Sequence, residues 1–82
     1  MSNQNARTSL RDCVRQEVEQ YLADLGDQPA VDLYQRVLEE AERAVLEKVM
    51  EHCQGQRGLA AQCLGINRNT LRKKLQHYGL DI

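Results

Sequence analysis

The stretch from Leu33 to Cys53 constrains this chain more than any other. Leu33, Tyr34, Val37, Leu38, Ala41, Val45, Leu46, Val49, Met50 and Cys53 recur at intervals of three and four, the spacing that places side chains along one side of an α-helix. With Asp32 as N-cap, such a helix is roughly 30 Å long. Its apolar stripe is wider than packing against one neighbour requires. A second amphipathic segment runs from Leu10 to Leu25, with Leu10, Val14, Val18, Tyr21, Leu22 and Leu25 on one face. Ser9 followed by Asp12 reads as a capping box with Asp in place of Glu, and Gly26 as the stop. Asp27 to Ala30, with the only Pro, connects the two. The first helix is too short to cover the second. In an 82-residue chain, which buries only about 60% of its unfolded surface, a second copy is the economical cover.

Gly55 and Gly58 then break the pattern, and two short segments follow. Leu59 to Leu64 makes under two turns, with Leu59, Ala60 and Leu64 apolar and Ala61 small. Gly65 suits a turn that needs positive φ. Asn67 is a favoured N-cap for a fourth helix from Arg68 to about Tyr78, with Ile66 and Leu71 placed as a hydrophobic staple. Gly79 supplies its stop. Short helix, glycine turn, second helix is the helix-turn-helix arrangement, with an ordinary helical hairpin as the competing reading. Leu64, Ile66, Leu71 and Leu75 form its expected core, and Ala61 is small where the helices cross. With Leu71, Leu75 and Tyr78 turned inward, the last helix displays Asn69, Arg72, Lys73 and Gln76, flanked by Arg68, Thr70, Lys74 and His77. Guanidinium, amide and hydroxyl groups on an exposed helix are the groups that read base edges in a major groove.

Charge points the same way. Residues 1–54 hold six basic and eleven acidic side chains; residues 55–82 hold Arg57, Arg68, Arg72, Lys73 and Lys74 against Asp81 alone. The net charge of −1 therefore hides an acidic scaffold with a cationic end, although a solvated helix face would carry the same charges. Few β-branched residues and no Trp or Phe favour an all-α fold. No apolar run reaches the ~18 residues of a membrane span, so no membrane partner is expected. Cys13, Cys53 and Cys63 show no C-x-x-C spacing, which argues against a disulfide framework or zinc ribbon. His52, Cys53, Cys63 and His77 match no metal-binding pattern. No cofactor is expected. With two isolated His residues, no phosphate loop and no nucleophile beside a base, neither is catalysis.

The run Leu64-Gly65-Ile66-Asn67-Arg68-Asn69-Thr70-Leu71-Arg72-Lys73-Lys74-Leu75, ending Tyr78-Gly79, closely resembles the C-terminal signature of the Fis family, a signature also found at the ends of bacterial enhancer-binding activators. Upstream, Leu10-Arg11-Asp12 and Asp32-Leu33-Tyr34 resemble Fis itself. The resemblance extends over roughly Leu10 to Leu80.

It implies four helices: the first two (residues 10–54) intertwined with a partner's into a homodimeric four-helix core, the last two (residues 55–82) a helix-turn-helix, after a short flexible N-terminus (residues 1–9). Val37, Leu38, Ala41, Val45, Leu46 and Val49 would line the dimer interface. By the same resemblance the partner is double-stranded DNA, bent so that two closely spaced recognition helices reach successive major grooves, ~34 Å apart in straight B-DNA. Degenerate pseudo-palindromic sites with A·T-rich centres, whose minor groove compresses easily, would be preferred. Arg68 is the first choice for a guanine contact, with Asn67, Thr70, Arg72 and Lys73 at bases or adjoining phosphates and Lys74 at the flanking backbone. Gln56 and Arg57 would meet phosphate where the third helix begins. Asn67 has a competing role as cap alone, and Lys74 and Arg57 as solvated charges. Two positions depart from the family pattern: Asn69 stands for a small Gly, which alters base preference, and His77 for a Lys, which makes one phosphate contact pH-dependent. The expected setting is the bacterial cytoplasm and nucleoid, the role transcriptional regulation, with RNA polymerase a candidate partner. Relatives that stimulate DNA inversion carry a β-hairpin arm before the first helix; the residues preceding Leu10 show no hairpin pattern, so recombinase activation is not expected. The alternative is a helical dimerisation or adaptor module whose basic end meets an acidic protein.

Overall fold

A computed structural model describes residues 9–81. Of the expected flexible N-terminus, residues 1–8 lie outside the described residues, as does residue 82. Among the described residues there are four helices and no strand: α1 (Leu10–Leu25), α2 (Leu33–His52), α3 (Arg57–Leu64) and α4 (Arg68–His77). The fold is all-α, as the periodicity requires. The chain divides into two compact units between Val37 and Leu38.

The first unit contains α1 and the opening turn of α2. Its cap is the one read from the sequence: the Ser9 hydroxyl oxygen accepts from the Asp12 N–H at 3.1 Å. Val14, Val18, Tyr21 and Leu25 are half-buried, Leu10 and Leu22 exposed, and no residue of α1 is buried. The start of α2 departs from expectation. The Asp32 carbonyl accepts the first helical bond, from the Arg36 N–H at 3.0 Å, but Asp32 has φ +57°. An N-cap is normally extended; Asp is among the few residues that tolerate the left-handed region.

In the second unit the C-terminal three-quarters of α2 packs with α3 and α4. The core is Leu46, Cys53, Ala60, Ala61, Leu71, Leu75 and Tyr78, with Val49, Met50, Leu64, Ile66 and Leu80 against it. Leu46, Val49, Met50 and Cys53 follow one another at helical spacing. Leu46 and Val49, expected at a dimer interface, both meet the chain's own core. Leu46 is 2% exposed, so it belongs to the chain's own core and has almost no surface left for a partner; Val49 is half-buried on the same core. The physical reason is that α2 carries two apolar stripes. Successive residues are turned by about 100°, so Val45 and Leu46 face different ways. The Leu46 stripe closes the helix-turn-helix, while Leu38, Ala41 and Val45 remain exposed and Val37 is half-buried.

The turn between α3 and α4 is closed by backbone geometry. Gly65 adopts φ +75°, the Gly65 N–H donates to Gln62 O at 3.2 Å and the Ile66 N–H to Ala61 O at 3.0 Å. That is the Schellman pattern, and it places Ile66 back over Ala61 on the core. Helix α3 starts at Arg57, two residues earlier than expected. Gly58 therefore lies inside its first turn instead of breaking the chain.

Candidate nucleic-acid interface

Helix α4 is positioned from below by Leu71 and Leu75, each fully buried, and from its start by Asn67. The Asn67 side-chain oxygen accepts from the Asn69 N–H at 2.7 Å, satisfying one of the unpaired donors of the first turn. Asn67 is thus an N-cap, with its amide N–H₂ left over for any ligand. Leu71 and Leu75 set the rotation of the helix, so Arg68, Asn69, Thr70, Arg72 and Lys73 point outward and are exposed. Among the described residues none of Arg68, Arg72 and Lys73 has an ion-pair partner. From Arg68 to Lys73 the helix therefore presents an uncompensated cationic and hydrogen-bonding ridge.

The other expected contacts behave differently. The Lys74 ammonium donates to Glu42 Oε2 at 2.7 Å. His77 Nε2 stands 3.5 Å from Glu39 Oε2, and Arg57 pairs with Asp81. Gln56 precedes α3 with an extended backbone and makes no side-chain cap bond, so the N–H groups that open α3 are not capped by it. The sequence places no carboxylate between His52 and Leu80, yet the fold brings two there from α2. Glu42 lies four residues before Leu46, on the helix side that meets α4. A carboxylate in register with an apolar stripe was the available signal.

Glu42 also accepts a hydrogen bond from the Tyr78 hydroxyl at 2.6 Å. Arg43 lies over the Tyr78 ring at 5.4 Å and the His77 ring meets it edge-on at 4.8 Å. The Lys74 hydrogen bond, then that from Tyr78, holds the Glu42 carboxyl below its ordinary value. The same carboxylate, together with burial, pushes the Tyr78 phenol up to about 12. Among the described residues no group of His, Cys, Asp and Glu could hold a metal ion. Nor is any helix long and apolar enough to cross a membrane.

The sequence model described as "Bacterial regulatory protein, Fis family" matches residues 37–78. "DNA-binding protein Fis" of Proteus mirabilis (strain HI4320) is 46% identical over 79 residues, covering 96% of this chain and 81% of that protein. The protein of the same name from Aeromonas hydrophila is 47% identical over 72 residues, covering 88% and 74%. That from Aliivibrio fischeri (strain MJ11) is 43% identical over 79 residues, covering 96% and 81%. The chain belongs to the Fis family.

The Fis-family match opens at Val37 and closes at Tyr78. It spans the Leu46 stripe, the Gly65 turn and the α4 ridge together with the Glu42–Tyr78 contact. The helix-turn-helix read from glycine and leucine spacing is the Fis-family helix-turn-helix, in a non-enzymatic class of regulators.

Proposed function

We propose that this protein is a homodimeric, nucleoid-associated transcriptional regulator that binds and bends double-stranded DNA in the bacterial cytoplasm. The observation that carries this reading is the α4 ridge: Arg68, Asn69, Thr70, Arg72 and Lys73 exposed together on a helix whose rotation is set by two fully buried leucines. Arg68 pairs bidentately with a guanine, Asn69 or Thr70 reads an adjoining base, and Arg72 and Lys73 secure phosphates or a further base edge. The relatives' name supports DNA as the ligand. Gln56 and the opening N–H groups of α3 meet a phosphate, since that end is positive and not closed by a side chain.

The exposed face of Leu38, Ala41 and Val45 on α2, with an α1 in which no residue is fully buried, supports a second copy as its cover. A dimer presents two ridges, and half-sites one turn apart (~34 Å) are reached by bending where the ridges sit closer. Compression of an A·T-rich centre costs less than that of a G·C-rich one.

The test is a gel mobility shift with ~30 bp duplexes of equal length at two salt concentrations. One duplex has G and C half-site ends around an A·T-rich centre, one the same ends around a G·C-rich centre, and one is scrambled. The expected result is tightest binding to the A·T-centred duplex, weakened by salt. Equal weak binding to all three removes shape readout. No shift with any duplex overturns DNA as the ligand and leaves the acidic-protein adaptor.

A further inference from the structure

We infer that Glu42 is an internal counter-charge that opposes the use of Lys74 on the DNA backbone, and so sets how strongly the protein binds duplex of any sequence. The inference rests on the DNA-binding reading above and adds to it a residue outside the ridge that limits affinity.

The cations of the helix-turn-helix fall into two sets. Arg68, Arg72 and Lys73 are exposed and unpaired among the described residues. Lys74, one residue further on, has turned to α2, where its ammonium lies 2.7 Å from a carboxylate oxygen. Glu42 is not a mobile surface partner. Its other oxygen is held at 2.6 Å by the Tyr78 hydroxyl, and Tyr78 is itself buried in the core. The carboxylate is thereby fixed at the flank of α4, with Lys74 and Glu42 both about one-third exposed. A pair so placed is within reach of a phosphate yet satisfied without one.

The consequence is a matter of ion counting. A free lysine that neutralises a phosphate releases condensed cations from the duplex, worth about 0.9 in the slope of log K against log salt. Lys74 that stays on Glu42 releases no cation, and Lys74 that leaves for a phosphate gives up a charge-assisted hydrogen bond and strands a carboxylate facing the duplex. If Lys74 bridges both groups, the phosphate lies against a fixed negative charge instead. Each route lowers the Lys74 contribution. Lys73, with no carboxylate beside it, contributes in full.

The experiment measures binding of the full chain to a scrambled ~30 bp duplex across a salt series, for wild type, Glu42→Gln, Glu40→Gln and Lys74→Gln, and for Glu42→Gln combined with Lys74→Gln. Gln keeps an acceptor for Tyr78 while removing the charge. Glu40 is exposed on the same helix, so its replacement reports the effect of net charge alone. Glu42→Gln should tighten binding several-fold at low salt and steepen the slope by about 0.9 per subunit, with Glu40→Gln well short of that and no gain left in the Lys74→Gln background. An equal gain from both glutamate variants, or a gain that persists without Lys74, overturns the inference. Should Glu42→Gln lose its helical circular dichroism, the comparison moves to lysines in the otherwise wild-type chain: Lys73→Gln should flatten the slope by about one unit and Lys74→Gln by much less, and equal flattening overturns the inference. A wild type that binds no duplex overturns this inference together with the function it rests on, whereas wild-type binding without the Glu42 effect overturns this inference alone.

Discussion

Arg68 and Lys74 sit six residues apart on one short helix and have opposite surroundings, which makes their variants separable. Arg68→Ala should cost on the order of 1–3 kcal/mol at a specific site and erase preference there, with scrambled DNA little affected; competition binding between matched and scrambled duplexes reads both. The Glu42 cluster predicts a pH response of its own. Its carboxyl is held below the ordinary value, so its stabilising contribution is present above about 4.5 and is lost as pH falls through the lower folded-state value. Tyr78 works at the other end. Raised to about 12, it contributes fully below the unfolded value near 10 and loses that contribution as pH rises through 12. Ultraviolet titration should show one of the three tyrosines ionising late in wild type and returning toward 10 in Glu42→Gln. Late ionisation that persists without the carboxylate would rule out Glu42 as its cause.

At the level of elements, helix ends decide whether the helix-turn-helix is stiff. Helices α2, α3 and α4 close with the same pair of backbone bonds, but at the end of α2 the left-handed position is Gln54, φ +54°, with the Gln54 N–H on Glu51 O at 3.1 Å and the Gly55 N–H on Met50 O at 2.9 Å. Glycine is the usual residue there because it lacks the Cβ that clashes. Gln54→Gly should therefore stabilise the chain by roughly 0.5 kcal/mol, the relief of that clash less the added freedom of the unfolded chain; thermal denaturation at fixed protein concentration measures it, and a lower midpoint would contradict the strain argument. Leu71 and Leu75 hold α4 in rotation as well as in place. Leu71→Ala should cost about 2–5 kcal/mol and loosen the ridge, so a chemical denaturation curve shifts before any base contact is touched.

For the whole molecule, the two stripes of α2 predict two kinds of failure. Val45→Glu charges the exposed stripe and should give a folded monomer that binds DNA weakly, seen as a smaller species in sedimentation with its helix content kept. Leu46→Glu buries an unpaired charge in the chain's own core and should unfold it. If Val45→Glu stayed dimeric, the exposed stripe would not be the interface. A wild-type midpoint that rises with protein concentration is the expected companion result, since association stabilises only the folded chain.

Much of this was legible without coordinates because it depends on neighbours within a turn or two. Helix α1 runs between the same two leucines that the spacing of three and four marks, the Ser9 cap is where its hydroxyl predicts, and Gly65 takes the positive φ its missing Cβ permits. The outward residues of α4 follow from Leu71 and Leu75 alone, since a helix with one buried face has its other face determined. What local pattern left open was which partner each apolar stripe of α2 would meet. Hydrophobic burial has no direction and reads the same whether its cover comes from the same chain or another, so Leu46 and Val49 looked equivalent to Val45. The pairing of Lys74 with Glu42 and of Arg57 with Asp81 joins residues 32 and 24 positions apart. Such contacts have no periodicity to announce them. They arise only when the core closes, bringing Glu42 of α2 to Lys74 and the start of α3 to the residue Asp81 beyond α4, which makes the charge around α4 a property of the tertiary structure.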